Sequence, residues 1–131
     1  MGYRWSAKVT ETLFIRSKVL LDSRAAVVPY PVTGLGQDIH DHDGLKLFAK
    51  HSRDLGYTGI SVIHPSHIEI VNQIFSPTQQ EILEWMGILK AMDGVRNEGG
   101  AVVESKGAMV DMAQEQTAIA IHDFASDMGL A

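Results

Sequence analysis

The chain of 131 residues contains no cysteine. That absence excludes disulfides, thiolate metal sites and a cysteine nucleophile. It agrees with a reducing compartment, and a cytoplasmic location is the expectation. No apolar run approaches the ~18–20 residues that a membrane-spanning helix requires. The first residues, Met1-Gly2-Tyr3-Arg4-Trp5-Ser6, lack the continuous apolar segment of a secretory signal. Gly2 followed by Ser6 is a short, loose match to an acylation signal, and chance accounts for it. Basic residues are not in excess either: 11 Lys and Arg stand against 16 Asp and Glu, a net charge of -5. A wide electrostatic surface for nucleic acid is thereby excluded. Neither a nucleic-acid partner nor a membrane partner is expected.

What is present is enough apolar sequence for a core. Hydrophobic residues make up 45% of the chain, and the length suits one domain of ordinary size. No internal repeat or low-complexity tract is visible. Residues 8–23 carry Val9, Leu13, Phe14, Leu20 and Leu21 at spacings that predict an amphipathic helix. Ala25-Ala26-Val27-Val28 reads as a short buried strand stopped by Pro29 and Pro31. Residues 32–42 read as a loop.

Asp43 is expected to cap a helix over 43–54, with Leu45, Phe48, Ala49 and Leu55 facing inward. Gly56 is placed to end it in a left-handed conformation. A second strand is expected at 59–63, ended by His64-Pro65, with a helix over 66–74 after it. Ser76-Pro77-Thr78-Gln79 predicts a helix start with Ser76 as cap, running to about residue 92. Residues 101–104 and 108–110 read as a hairpin around Ser105-Lys106-Gly107, before a last helix over 111–128. Strands alternating with helices imply an α/β fold with parallel β/α units. The natural boundary falls near Ser76-Pro77.

Leu55-Gly56-Tyr57-Thr58-Gly59 through Ile63-His64-Pro65-Ser66 is similar to a segment of the citrate lyase beta-subunit family, which includes malyl-CoA and citramalyl-CoA lyases. The similarity continues through Val71-Asn72-Gln73-Ile74-Phe75-Ser76-Pro77 to Glu81. It resumes at Gly99-Gly100-Ala101-Val102-Val103 and Gly107-Ala108-Met109-Val110-Asp111. The resemblance implies that residues 1–75 are the last two β/α units of a TIM-type barrel. Residues 76–131 would then be a C-terminal helix-hairpin-helix extension serving as lid or oligomer contact. A whole barrel needs about 250 residues, so the chain would supply about a quarter of the wall and be incomplete alone. A homo-oligomer or a complementary N-terminal chain is therefore expected.

The activity implied is Mg²⁺-dependent carbon–carbon cleavage of a CoA thioester or a citrate-type substrate. The family's metal-binding carboxylates and substrate-binding arginine have no matching positions here, so no metal is expected on this chain alone. Three positions depart from the pattern. Ile60 stands where a lysine is usual, and His67 where glutamine is usual. The aspartate common near the first strand's end is absent around Val28-Pro29. An alternative reading is a non-catalytic interaction or CoA-binding module that pairs with another chain.

By resemblance, Asp111 is the candidate catalytic residue, a carboxylate for proton transfer beside the thioester. The competing reading makes Asp111 the cap of the last helix. His64 and Pro65 would lie near the acyl-CoA, at the C-terminal end of a barrel strand where such ligands bind. Against this, His64 can simply bond to backbone. Gly59, the third substrate-site candidate, also suits close backbone packing. Asn72 reads as structural, bonding across the turn that follows it. Asp38, His40, Asp41, His42 and Asp43 are metal-ligand types, but a Ca²⁺ loop aligned on Gly44 puts Ile39 and Lys50 at ligand positions, and a solvated loop is the better reading. Gly34-Leu35-Gly36 lacks the third glycine of a dinucleotide loop and any Walker lysine. Trp85, Met86, Leu89 and Met92 form a helical stripe that suits core or a subunit contact.

Overall fold

The computed structural model describes residues 4, 6, 9–34, 38–97, 103–105, 108–110 and 112–130. The chain divides into two compact units, Met1–Phe75 and Ser76–Ala131. The first is a small α/β unit and the second is mostly helical.

In the first unit, helix α1 (Leu13–Ala25) leads to strand β1 (Val32–Thr33), helix α2 (His42–Leu55) and strand β2 (Gly59–Ile60). A 3-10 turn (Pro65–His67) and helix α3 (Ile68–Phe75) follow. β1 and β2 run parallel, Val32 beside Gly59 and Thr33 beside Ile60. Their pairing is extended by Thr58 N–H to Pro31 O (3.0 Å) and Ser61 N–H to Thr33 O (2.9 Å). Leu45, Phe48 and Ala49 of α2 close over Tyr57, Ile60, Val71 and Phe75 to make the core. Full burial of a side chain such as Phe48 is worth about 1.5–3 kcal/mol.

α1 does not follow its apolar spacing. Phe14 is 79% and Leu21 67% exposed, while Thr12 and Arg16 are buried. The Arg16 guanidinium donates from Nη2 to Val9 O (2.8 Å), from Nε to Thr12 Oγ1 (3.2 Å) and from Nη1 to Ser52 Oγ (3.4 Å). It also lies 5.0 Å from the centre of the Phe48 ring. These acceptors are neutral, and burial pushes the guanidinium pKa down from its ordinary value. Val9 holds its carbonyl toward Arg16 with φ at 53°. A β-branched residue pays about 1–3 kcal/mol for that conformation, which burial of its side chain and the charge-assisted bond offset. Just upstream, the Ser6 hydroxyl and amide each donate to Glu11 at 2.6 Å, which holds that carboxyl below the usual carboxylate range.

The strand expected at residues 25–28 is not there. α1 runs through Ala25, and Val27 N–H and Val28 N–H fold back onto the carbonyls of Arg24 (3.0 Å) and Ser23 (2.9 Å). This closes the helix with Val27 in the left-handed region, φ 56°. The strand comes after Pro31 because proline is tolerated at a strand's start and not within its ladder. α2 ends the same way, with Gly56 at φ 108° and Tyr57 N–H on Ser52 O. Its cap is Asp41, not Asp43: Asp41 Oδ1 accepts Gly44 N–H at 2.8 Å. A Cβ at Gly44 would fall 2.1 Å from Asp41 Oδ2, so the cap depends on that glycine.

The second unit holds α4 (Gln79–Asn97), β3 (Val103–Ser105), β4 (Ala108–Val110) and α5 (Met112–Asp127). α4 starts from a reciprocal box, Thr78 Oγ1 accepting Glu81 N–H (3.2 Å) and Glu81 Oε2 accepting Thr78 N–H (2.7 Å). Thr78 and Glu81 thus take the roles expected of Ser76 and Gln79. The helix continues past Gly94 to Asn97. β3 and β4 pair antiparallel, with Glu104 beside Met109. α4 and α5 pack together and are tied by Arg96 Nη2 to the buried Glu115 Oε1 at 2.5 Å.

Two stability outcomes follow. Val27 is 84% exposed, so its side chain contributes little packing. Val27→Gly is expected to stabilise by about 0.5–1 kcal/mol in urea unfolding, by relieving the left-handed strain. Arg16→Met is expected to destabilise by about 2–4 kcal/mol, since it strands three buried acceptors; a loss under 0.5 kcal/mol would contradict this account of α1.

Candidate functional site

Parallel pairing puts the C-terminal ends of β1 and β2 side by side, and a loop leaves each end toward a helix. The loop after β1 reaches α2 through Asp38, Ile39, His40 and Asp41. The segment after β2 runs through Ser61, Val62, Ile63 and His64 into the 3-10 turn. His67 joins the two. It is fully buried, and its Nε2–H donates to Ile39 O at 3.2 Å. A carbonyl only accepts, so the proton sits on Nε2; Nδ1 has no hydrogen-bond partner among the described residues.

Two exposed imidazoles flank this buried one. His42, the first residue of α2, meets His67 edge to face with ring centres 6.0 Å apart, and His64 does so at 6.0 Å. His64 caps the 3-10 turn, its Nδ1 lying 2.8 Å from Ser66 Oγ and 3.3 Å from Ser66 N. Pro65 occupies the first position of the turn. Val62, Ile63 and Ile68, close to His64 in sequence, are exposed.

Gly59 pairs with Val32 at the start of β2, where a Cβ would stand 3.4 Å from Val32 Cγ1. Asp111 lies outside the described residues, as do residues 35–37 of the glycine loop and 98–102. The acidic and imidazole cluster before α2 is consumed by local structure. Asp38 accepts His40 N–H (2.9 Å), Asp41 caps α2, and Asp43 pairs with Lys46 (3.3 Å). Among the described residues no group of three or more His, Asp or Glu could hold a metal ion. The described residues thus offer no such cluster for a resident Mg²⁺. No described helix is long and apolar enough to cross a membrane.

No family model matches the chain. Individual relatives do. An L-malyl-CoA/beta-methylmalyl-CoA lyase of Cereibacter sphaeroides is 35% identical over 83 residues, 63% of this chain and 26% of that protein. Citrate lyase subunit beta of Escherichia coli is 32% identical over 106 residues, 81% of this chain and 35% of that protein. The chain is a relative of the citrate lyase beta subunits and malyl-CoA lyases. Protein CitE from Mycobacterium tuberculosis, crystallised with magnesium, acetoacetate and coenzyme A, shares the fold. It superposes with a TM-score of 0.71 over 87% of this chain and 41% of CitE, at 24% identity. The chain thus spans between a quarter and about a third of the length of these two curated relatives.

Set against the family pattern, both substituted positions after Gly59 point inward. Ile60 is part of the buried core and His67 is the buried link to Ile39. Sequence reasoning noted His67 only as a departure and did not see the link. The sequence shows a second imidazole three residues past His64, but not its partner 28 residues away. His67→Ala is expected to cost about 2–3 kcal/mol, from the lost side-chain volume and the freed Ile39 carbonyl. Amide exchange should accelerate at 39–45; protection unchanged there would contradict the linking role.

Proposed function

We propose that this chain forms part of a magnesium-dependent carbon–carbon lyase acting on a 3-hydroxyacyl-CoA or citrate-type substrate in the cytoplasm. The observation that carries the reading is His64, exposed four residues past the C-terminal end of a parallel strand in a relative of such lyases. In this reading residues 1–75 are the last two β/α units of a TIM-type barrel, and ligand gathers at the strand ends. Residues 76–131 are the extension, acting as lid or oligomer contact.

Cleavage beside a thioester passes through an enolate and needs a positioned acid or base. Asp111 takes that role. His64 and Pro65 contact the acyl-CoA, and Gly59 lets the two strands approach closely beneath them. Residues able to bind the metal are assigned to another polypeptide segment.

A partner is part of the proposal. Parallel sheets are normally covered on both faces, and two strands alone are marginal. Val32 is 58% exposed, and β1 has no second neighbour among the described residues. A second copy or a complementary N-terminal chain would cover that edge. The same open edge favours the second reading, a non-catalytic CoA-binding module that pairs with another chain.

Turnover of malyl-CoA and citramalyl-CoA separates these readings. We expect none from the isolated chain and activity when an N-terminal lyase segment is added, lowered about 10²–10⁴-fold by Asp111→Asn. Turnover by the isolated chain would contradict the need for a partner, and full activity of Asp111→Asn would remove Asp111 from the chemistry.

A further inference from the structure

Two donors converge on one ring nitrogen of His64. Pro65 has no N–H, so the Ser66 amide is the first free donor of the 3-10 turn, and it points at His64 Nδ1 from 3.3 Å. The Ser66 hydroxyl lies 2.8 Å from the same atom. An amide can only donate, so Nδ1 is the acceptor, and the hydroxyl joins it by donating as well. A neutral imidazole whose Nδ1 accepts carries its proton on Nε2.

We propose that Ser66 is a positioning residue that holds His64 in the Nε2–H form, so that His64 offers a hydrogen-bond donor, not a base, to an oxygen of the ligand. The identity of that ligand rests on the lyase reading above; the tautomer does not. His64 has an extended backbone, φ -138° and ψ 140°, and its side chain accepts the Ser66 amide. Nε2 lies across the ring from Nδ1, on an exposed side chain four residues past the end of β2. A neutral donor there stabilises negative charge growing on an oxygen without exchanging a proton. The oxygen would belong to a thioester carbonyl or to a phosphate of the CoA ester.

Long-range nitrogen–proton NMR of the full chain, at about pH 8 where an ordinary imidazole is neutral, reads the tautomer directly. The expected spectrum places the His64 proton on Nε2. Ser66→Ala, which keeps the amide and drops the hydroxyl, should move a measurable share to Nδ1. A proton on Nδ1 in the unaltered chain, or no response to Ser66→Ala, would overturn the proposal.

Calorimetric titration with acetyl-CoA, coenzyme A and inorganic phosphate then locates the acceptor. His64→Ala should weaken binding about three- to tenfold, the worth of one hydrogen bond. His64→Gln, which keeps an N–H near the position of Nε2, should retain most of it. Loss confined to acetyl-CoA identifies the thioester carbonyl; loss with all three identifies a phosphate. Equal losses for Gln and Ala would contradict the donor role. Failure of both CoA probes to bind the unaltered chain would count against the lyase reading, with the tautomer spectrum still deciding the role of Ser66.

Discussion

The placement of His42 and His64 in residues 1–75 depends on the parallel pairing of β1 with β2. Only two residues of each strand are paired, so the ladder alone is weak. Contacts outside the ladder hold it. Thr58 bonds Pro31 O through both N–H (3.0 Å) and Oγ1 (3.1 Å), and Tyr57 Oη donates to Arg16 O at 2.8 Å. His67 adds the bond to Ile39 O beyond the strand ends. Each such bond is worth about 1 kcal/mol net. Their joint effect is to fix where the two loops leave the sheet, and hence where His42 and His64 stand.

The buried arginine belongs to the same framework. Arg16 draws the segment at Val9 and Thr12 onto α1 and reaches Ser52 of α2, whose own hydroxyl donates to Phe48 O at 2.8 Å. Neutral acceptors and an aromatic face surround the charge. Leaving any one of them out would expose the cost of burying an uncompensated cation.

α2 was legible because its inner face is apolar at helical spacing and its end is marked by Gly56. α1 was not, because the face it buries is Thr12 and Arg16, and apolar periodicity carries no record of a buried polar network. Residues 25–28 misled for a different reason. A short run of alanine and valine suits a strand and a helix end equally, and only the turn at Val27 decides between them. Two-residue strands are too short to show alternation, so β1 passed for loop. The cap at Thr78 in place of Ser76 is a choice between neighbours that geometry alone resolves. In the candidate site, the place of His64-Pro65 after a strand could be read from the sequence. Ser66 and His67 could not, because their roles rest on one tautomer and on a contact 28 residues away in sequence.

The central claim is that β1 and β2 are parallel neighbours whose C-terminal ends share one edge. Cross-strand proton contacts in NMR spectra of the labelled chain test it directly. The account predicts the staggered amide-to-α-proton contacts of a parallel pair around Thr33, Ile60 and Ser61, with the Ser61 amide protected from exchange. Close pairs of α-protons, the mark of antiparallel neighbours, or an unprotected Ser61 amide with no cross-strand contacts, would contradict it.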